Sequence, residues 1–220
     1  MTRILIFANG VLPDAQKARS LVQPGDFIIC ADGGTRHALA MGLDPGLVIG
    51  DFDSLGPDES EKAERAGAQI VRYPHDKDET DLELALDHAL ELEPSSIVII
   101  AALGDRLDQT LGNIALLSNA RLAALDARLD DGLEETFFCR DKSELRGKAG
   151  DIVSLIPWGG PVIDLRTKGL KWPLKNETLD PEKTRGISNE LLGNSAVVSL
   201  SSGLLLIVHR RVIKAEDRTF

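Results

Sequence analysis

Cysteine is scarce. Cys30 and Cys139 are the only two in 220 residues, and neither sits in a C-x-x-C pair, which excludes a disulfide scaffold and a Cys-based zinc site. Long apolar runs are also missing. The longest, Ile97–Leu103 and Leu204–Val208, fall far short of the roughly 20 residues that span a bilayer. Positive charge is outnumbered, with 25 Lys+Arg against 35 Asp+Glu and a net charge of −10. That balance excludes the basic face that nucleic acid or anionic lipid requires. The opening MTRILIFANG has a short apolar run before Asn9-Gly10 and no small-residue cleavage pattern, so no secretory leader is expected. The expectation is a soluble, cytoplasmic protein with no nucleic-acid partner and no membrane partner. Common catalytic signatures are absent as well: there is no P-loop, no G-x-G-x-x-G, no G-x-S-x-G elbow and no H-E-x-x-H. His37, His75, His88 and His209 are scattered, and each is expected as a surface or helix residue rather than a metal ligand.

What is present is ordinary globular material, 43% apolar and 27% charged, enough for one large domain or two small ones. Ile4–Ala8, Phe27–Ala31, Leu47–Ile49, Gln69–Tyr73 and Ile97–Ala102 are apolar runs of strand length, mostly unalternated, as in buried parallel strands. Amphipathic segments separate them. Thr80–Leu92 carries Leu82, Leu86, Ala89 and Leu90 on one face, starts with Thr80 and Glu83 as a capping box, and is followed by Pro94. A further helix is expected from about Thr110 to Leu122. After Leu125 the pattern becomes strand-like, with candidates at Leu125–Leu129, Glu134–Cys139, Asp151–Ile156, Val162–Leu165, Ala196–Leu200 and Leu204–Val208. Ser201-Ser202-Gly203 reads as a hairpin loop between the last two. The predicted architecture is therefore an α/β domain with a mostly parallel sheet over residues 1–124, then an all-β sandwich over 125–220.

Acidic residues follow these strands with regularity. After the first comes Asn9-Gly10, after the second Asp32-Gly33-Gly34, and after the third Asp51-Phe52-Asp53-Ser54. The fourth leads to Asp76-Lys77-Asp78-Glu79-Thr80-Asp81, and the fifth to Gly104-Asp105-Arg106-Leu107-Asp108-Gln109. In an open parallel sheet these carboxyl ends share one rim, where ligands bind. Carboxylates gathered there would repel one another unless a cation were present, and an all-oxygen set suits Mg²⁺ and phosphate chemistry. Asp51 and Asp53, two apart in an extended segment, would point the same way and address one ion. The other acids have plainer readings too: Asp81 answers the dipole of its helix, Asp108 caps one, and Asp76 and Asp78 are read as a solvated face. Gly33-Gly34 either makes a tight turn or lets a phosphate approach the following helix.

Taken together, ADGGTRHALAMGLDPGLVIGDFDSL (Ala31–Leu55), KDETDLELAL (Lys77–Leu86), LGDRLDQTLGN (Leu103–Asn113), TKGLKWPLKNETL (Thr167–Leu179) and GISNEL (Gly186–Leu191) resemble, in order, the motifs of thiamine pyrophosphokinases. The resemblance implies pyrophosphate transfer from ATP to thiamine, giving thiamine diphosphate and AMP. It also implies a homodimer with the active site at the subunit interface, and Mg²⁺ held by Asp51, Asp53, Asp81 and Asp108. These four acids and Arg106 would be the catalytic set, with either Asp81 or Asp108 accepting the hydroxyl proton. Asn9, Asp32, Gly33, Gly34, Lys77, Thr80 and Gln109 would serve the nucleotide, and Thr167, Trp172, Ser188 and Asn189 would serve thiamine. Trp172 could otherwise fill the sandwich core. The rival readings are a pyrophosphokinase for another hydroxymethyl acceptor, such as a reduced pterin, and a non-catalytic nucleotide- or thiamine-binding module.

Overall fold

A computed structural model describes residues 2–104 and 106–212. The chain forms two compact units, Met1–Gly132 and Leu133–Phe220.

The first unit alternates strands and helices: β1 (Arg3–Phe7), α1 (Ala15–Arg19), β2 (Phe27–Ala31), α2 (Gly34–Ala40), β3 (Leu47–Gly50), α3 (Pro57–Arg65), β4 (Gln69–Arg72), α4 (Asp81–Glu91), β5 (Ser96–Ile100), α5 (Leu107–Leu116) and β6 (Asp126–Asp130). Its strands lie in the order β6-β5-β1-β2-β3-β4, and every pairing is parallel. Leu5, Phe7, Ile28, Cys30, Val48, Val98 and Ile100 of the sheet pack with the alanines Ala18, Ala38 and Ala63 of α1, α2 and α3. The small alanines let helix backbones approach the sheet, and the large strand side chains supply most of the apolar area removed from water. The chain steps from β1 out to β4, then returns to place β5 on the other flank of β1. That reversal opens a crevice at the carboxyl ends of the central strands.

Two expectations about this unit need revision. The helix anticipated from Thr110 begins earlier, at Leu107, and stops at Leu116, with a short 3₁₀ turn at Ala120–Leu122. The all-β region was expected to open at residue 125, yet β6 pairs in parallel with β5, Ser96 opposite Asp126 through Ile99 opposite Leu129. The alternation of Leu125, Ala127 and Leu129 therefore belongs to the α/β unit, which runs on to Gly132.

The second unit comprises β7 (Glu134–Cys139), β8 (Lys142–Arg146), β9 (Ile152–Pro157), β10 (Val162–Lys168), β11 (Lys175–Leu179), β12 (Asn189–Glu190), β13 (Ser195–Ser199) and β14 (Leu205–Arg210). They form two antiparallel layers, β12-β9-β14-β7 and β11-β10-β13-β8. Phe137, Leu155 and Ile207 from one layer share a buried cluster with Leu145, Leu165 and Val198 from the other, which makes a sandwich. Ser201-Ser202-Gly203 is not a hairpin loop: β13 pairs with β8 and β10, whereas β14 pairs with β7 and β9, so the segment carries the chain between layers. His209 is no surface or helix residue either. It lies on β14 with 0% exposure, Nδ1 2.8 Å from Glu135 Oε1 and Nε2 3.1 Å from Asp151 Oδ2. Two carboxylates satisfy both ring nitrogens, which is what lets an imidazole sit there. Among the described residues, no helix is long and apolar enough to cross a membrane.

Candidate active site

The crevice of the first unit is a cleft of about 450 Å³. Asn9 enters it from the loop after β1, Asp32 after β2, Asp51 and Asp53 after β3, Lys77, Thr80 and Asp81 after β4, and Arg106 and Gln109 after β5. Asp51 and Asp53 converge for a reason other than the extended geometry expected. Phe52 between them has φ 65°, and the Asp53 N–H donates to Asp51 Oδ1 at 3.1 Å, so the segment is a tight turn. The Arg72 guanidinium lies 4.1 Å from the Phe52 ring centroid.

Charge is concentrated here. Asp32, Asp51 and Asp81 each place a carboxylate oxygen within 4.8 Å of the others. Lys77, with a side chain only 10% exposed, lies 3.0 Å from Asp81 and 3.8 Å from Asp51. Burial alone would lower the Lys77 pKa, but the hydrogen bond and charge of Asp81, together with Asp51 and Asp32, hold it above its ordinary value. Asp32 is the strained member. It is 3% exposed, and its Oδ1 has no hydrogen-bond partner. Burial, with repulsion from Asp81 and Asp51, pushes its carboxyl above the usual range. Asp53 is held below that range, chiefly by the Ser54 hydroxyl, which donates to its Oδ1 at 2.8 Å.

Other expected site residues have partners within the protein. Asp108 is not among the residues lining the cleft. Its carboxylate accepts both Arg106 Nε at 3.2 Å and Nη2 at 2.6 Å, and this pairing with the Gln109 N–H lowers its pKa. Of the four expected carboxylates, Asp51 converges with Asp53 in one group and with Asp81 in another, where Asp32 joins them; Asp108 is in neither group. Gly33 and Gly34 allow close packing. A Cβ on Gly33 would fall 2.3 Å from Asn9 Oδ1, and one on Gly34 would fall 2.0 Å from the Phe7 carbonyl oxygen. Thr80 caps α4 by accepting the Glu83 N–H.

Sequence reasoning missed Arg36, Ser54, His75 and Asn113. Arg36 ties the rim together, donating to Asn9 Oδ1 and to the Ser54 carbonyl oxygen, each at 3.0 Å. Asn113 lines the cleft one helical turn beyond Gln109 and donates to the Ala102 carbonyl oxygen at 2.8 Å; the i, i+4 spacing on α5 was its available signal. His75 forms a group with Asp51 and Asp53, their ligand atoms within 4.8 Å of one another.

The second unit has its own pocket of about 350 Å³, lined by Trp172, Pro173, Leu174, Arg185, Gly186, Ile187, Ser188 and Asn189. Trp172 is 52% exposed, so it does not fill the sandwich core. Asn189 grips its backbone on both sides: Oδ1 accepts the Trp172 N–H at 3.1 Å, and Nδ2 donates to the Trp172 carbonyl at 2.7 Å. Lys171 Nζ sits 4.8 Å from the indole centroid and 2.8 Å from Glu190 Oε2. Thr167 is buried outside the pocket, and its hydroxyl accepts the Leu174 N–H at 2.9 Å, fixing one wall. Arg185 was not anticipated; it is paired with Glu177.

Two family models match the chain in order: "Thiamin pyrophosphokinase, catalytic domain" over residues 18–129, and "Thiamin pyrophosphokinase, vitamin B1 binding domain" over residues 142–205. Thiamine pyrophosphokinase of Bacillus subtilis is 34% identical over 182 residues, covering 82% of this chain and 85% of the relative. Thiamine pyrophosphokinase 1 of Oryza sativa is 28% identical over 207 residues, covering 83% and 78%. Among solved structures, the crystal structure of the Bacillus subtilis thiamine pyrophosphokinase superposes with a TM-score of 0.87 at 30% identity, over 96% of this chain and 100% of that one.

Proposed function

Because the chain belongs to the thiamine pyrophosphokinase family, we propose that it transfers pyrophosphate from ATP to the hydroxyethyl group of thiamine, giving thiamine diphosphate and AMP. In this reaction the thiamine oxygen bonds to the β-phosphorus, the bond from that phosphorus to the AMP oxygen breaks, and the hydroxyl proton passes to a carboxylate. The observation that carries the reading is the acidic cleft at the chain reversal, with Asp32, Asp51 and Asp81 around Lys77.

That cleft fits a hard divalent cation. Its donors are carboxylate oxygens, and the buried Asp32 Oδ1 has no protein partner. Asp32, Asp51 and Asp81, with Asp53 beside them, would hold Mg²⁺. Once bound, the ion would neutralise phosphate charge and help align the triphosphate. Lys77 and Arg106, both lining the cleft, face the charge that builds on the transferring group. Of the two proton acceptors left open by the sequence, Asp81 lines the cleft beside Lys77, whereas the Asp108 carboxylate is engaged by Arg106.

Trp172 offers thiamine an indole face, to which a permanently cationic thiazolium is attracted by about 0.5–2 kcal/mol. Ser188 and Arg185 supply polar groups at the same pocket, and Asn189 keeps the indole in place. Trp172 and Ile187 are both exposed at this pocket, which supports a homodimer covering it and completing the active site at the subunit interface. Purified protein incubated with ATP, Mg²⁺ and thiamine should yield AMP and thiamine diphosphate in equal amounts by chromatography. ADP with thiamine monophosphate, or transfer to a reduced hydroxymethylpterin and not to thiamine, would overturn the reading.

A further inference from the structure

His75 has no part in the reaction just described, yet it occupies a telling position. It follows β4 in the loop that also delivers Lys77, a loop closed by the Lys77 N–H donating to the His75 carbonyl at 3.2 Å. Its Nε2 lies 3.5 Å from Asp53 Oδ2 and 4.0 Å from Asp51 Oδ2. These separations are long for hydrogen bonds. The shorter matches the spacing of two ligands on one tetrahedral ion, about 3.4 Å with bonds near 2.1 Å. The imidazole side chain is 80% exposed, so an ion pair with Asp53 would contribute little to stability. A second observation comes from the adjoining cleft, whose lining includes Asp51 and Asp53 but not His75. Asp32 Oδ1, buried and without a partner, belongs to the second carboxylate group, and that group shares Asp51 with the His75 group.

We propose that His75 is a nitrogen ligand to a cation held by Asp51 and Asp53, and that it biases this edge of the cleft toward transition-metal ions such as Co²⁺ or Ni²⁺ over Mg²⁺. Imidazole binds borderline ions well, whereas Mg²⁺ prefers oxygen donors and keeps its water. A cleft built only from carboxylates would lack that bias. The inference rests on reading the cleft as a cation-assisted phosphoryl-transfer site, and it adds a determinant of which cation is taken.

The test uses the full-length protein with α,β-methylene-ATP, whose α–β link cannot be cleaved, and with thiamine omitted. Co²⁺ and Mg²⁺ are titrated separately by calorimetry, and the Co²⁺ complex is examined by proton NMR for a hyperfine-shifted, exchangeable imidazole N–H. The wild type should show that signal. In His75→Gln the signal should vanish and Co²⁺ affinity should fall at least about tenfold, with Mg²⁺ affinity falling by much less. Because the side chain projects into solvent, a thermal melt of the variant should overlay that of the wild type. Retention of the shifted signal, or equal losses for both ions, would overturn the proposal. AMP formation from ATP and thiamine with Mg²⁺, measured in parallel on the wild type, separates the two readings. If AMP forms while the Co²⁺ results are negative, only the role of His75 fails; if His75-dependent Co²⁺ binding occurs without AMP formation, only the reaction fails.

Discussion

Replacing Asp32 with Asn should make the metal-free protein more stable and the enzyme worse. Asp32, Asp51 and Asp81 hold oxygens within 4.8 Å of one another. At an effective dielectric near 20, a pair of unit charges at that distance repels by about 3 kcal/mol. Lys77, 3.0 Å from Asp81 and 3.8 Å from Asp51, offsets much of this, and a net relief of order 1 kcal/mol is expected when the Asp32 charge is removed. For a protein of this size that is roughly 2–4 °C in Tm. The backbone should not object, because Asp32 has φ 44° and Asn tolerates the left-handed region as readily as Asp. The sign with pH follows from the raised carboxyl. Its stability cost is absent below the ordinary value of 3.8 and grows as pH rises through the raised folded value, so the advantage of the variant should be full only above that window. The assay is differential scanning fluorimetry in chelator and again with saturating Mg²⁺ and ATP. In chelator Asp32→Asn should melt higher; with the ligands the order should reverse, and Mg²⁺ affinity should drop about 10–100-fold. A variant that melts lower in chelator, or that gains as much from Mg²⁺ as the wild type, would refute the charge-repulsion argument.

Three further outcomes are expected. Asp51→Asn should cost far more turnover than Asp108→Asn, because Asp51 belongs to both ligand groups while Asp108 is engaged with Arg106; steady-state rates at limiting Mg²⁺ compare them. Trp172→Ala should raise the KM for thiamine by about 2- to 30-fold, the cation–π range, with little change in that for ATP; equal losses for both would argue against an indole–thiazolium contact. The buried His209 has its pKa raised: burial alone would lower it, but the hydrogen bonds to Glu135 and Asp151 prevail. Its stabilising contribution should be full below pH 6.5 and lost as pH rises through the raised folded value. Burial opposes ionisation of Asp151, yet the Val212 and Lys148 N–H groups and His209 depress its pKa, so its contribution should be lost as pH falls below 3.8. Thermal melts across pH should show both limbs, and His209→Gln should flatten the alkaline one.

Much of the site was legible because it follows from strand order alone. Asp32, Asp51, Asp53, Lys77 and Asp81 all come just after apolar runs, and in a parallel sheet that position suffices to bring them to one edge. The side-chain partners were not legible. Asp108 could cap its helix, face the cleft or pair with Arg106, and the choice depends on rotamers that spacing does not encode. Arg36 reaches Asn9 across 27 positions of sequence, and no local pattern announces such a strap.

By itself the sequence determined the two-part architecture and the acidic rim, since buried parallel strands read as unbroken apolar runs and sandwich strands as alternating ones. It did not determine which strands are partners. β6 looks like the first strand of the sandwich until its parallel pairing with β5 claims it, and β13 and β14 look like a hairpin until each is found in a different layer. The buried His209 depends on Glu135 and Asp151, 74 and 58 positions away. Period and turn chemistry report what a residue does among its near neighbours. Pairing, burial of a charge and the company of a carboxylate are set by groups that only the folded chain brings together.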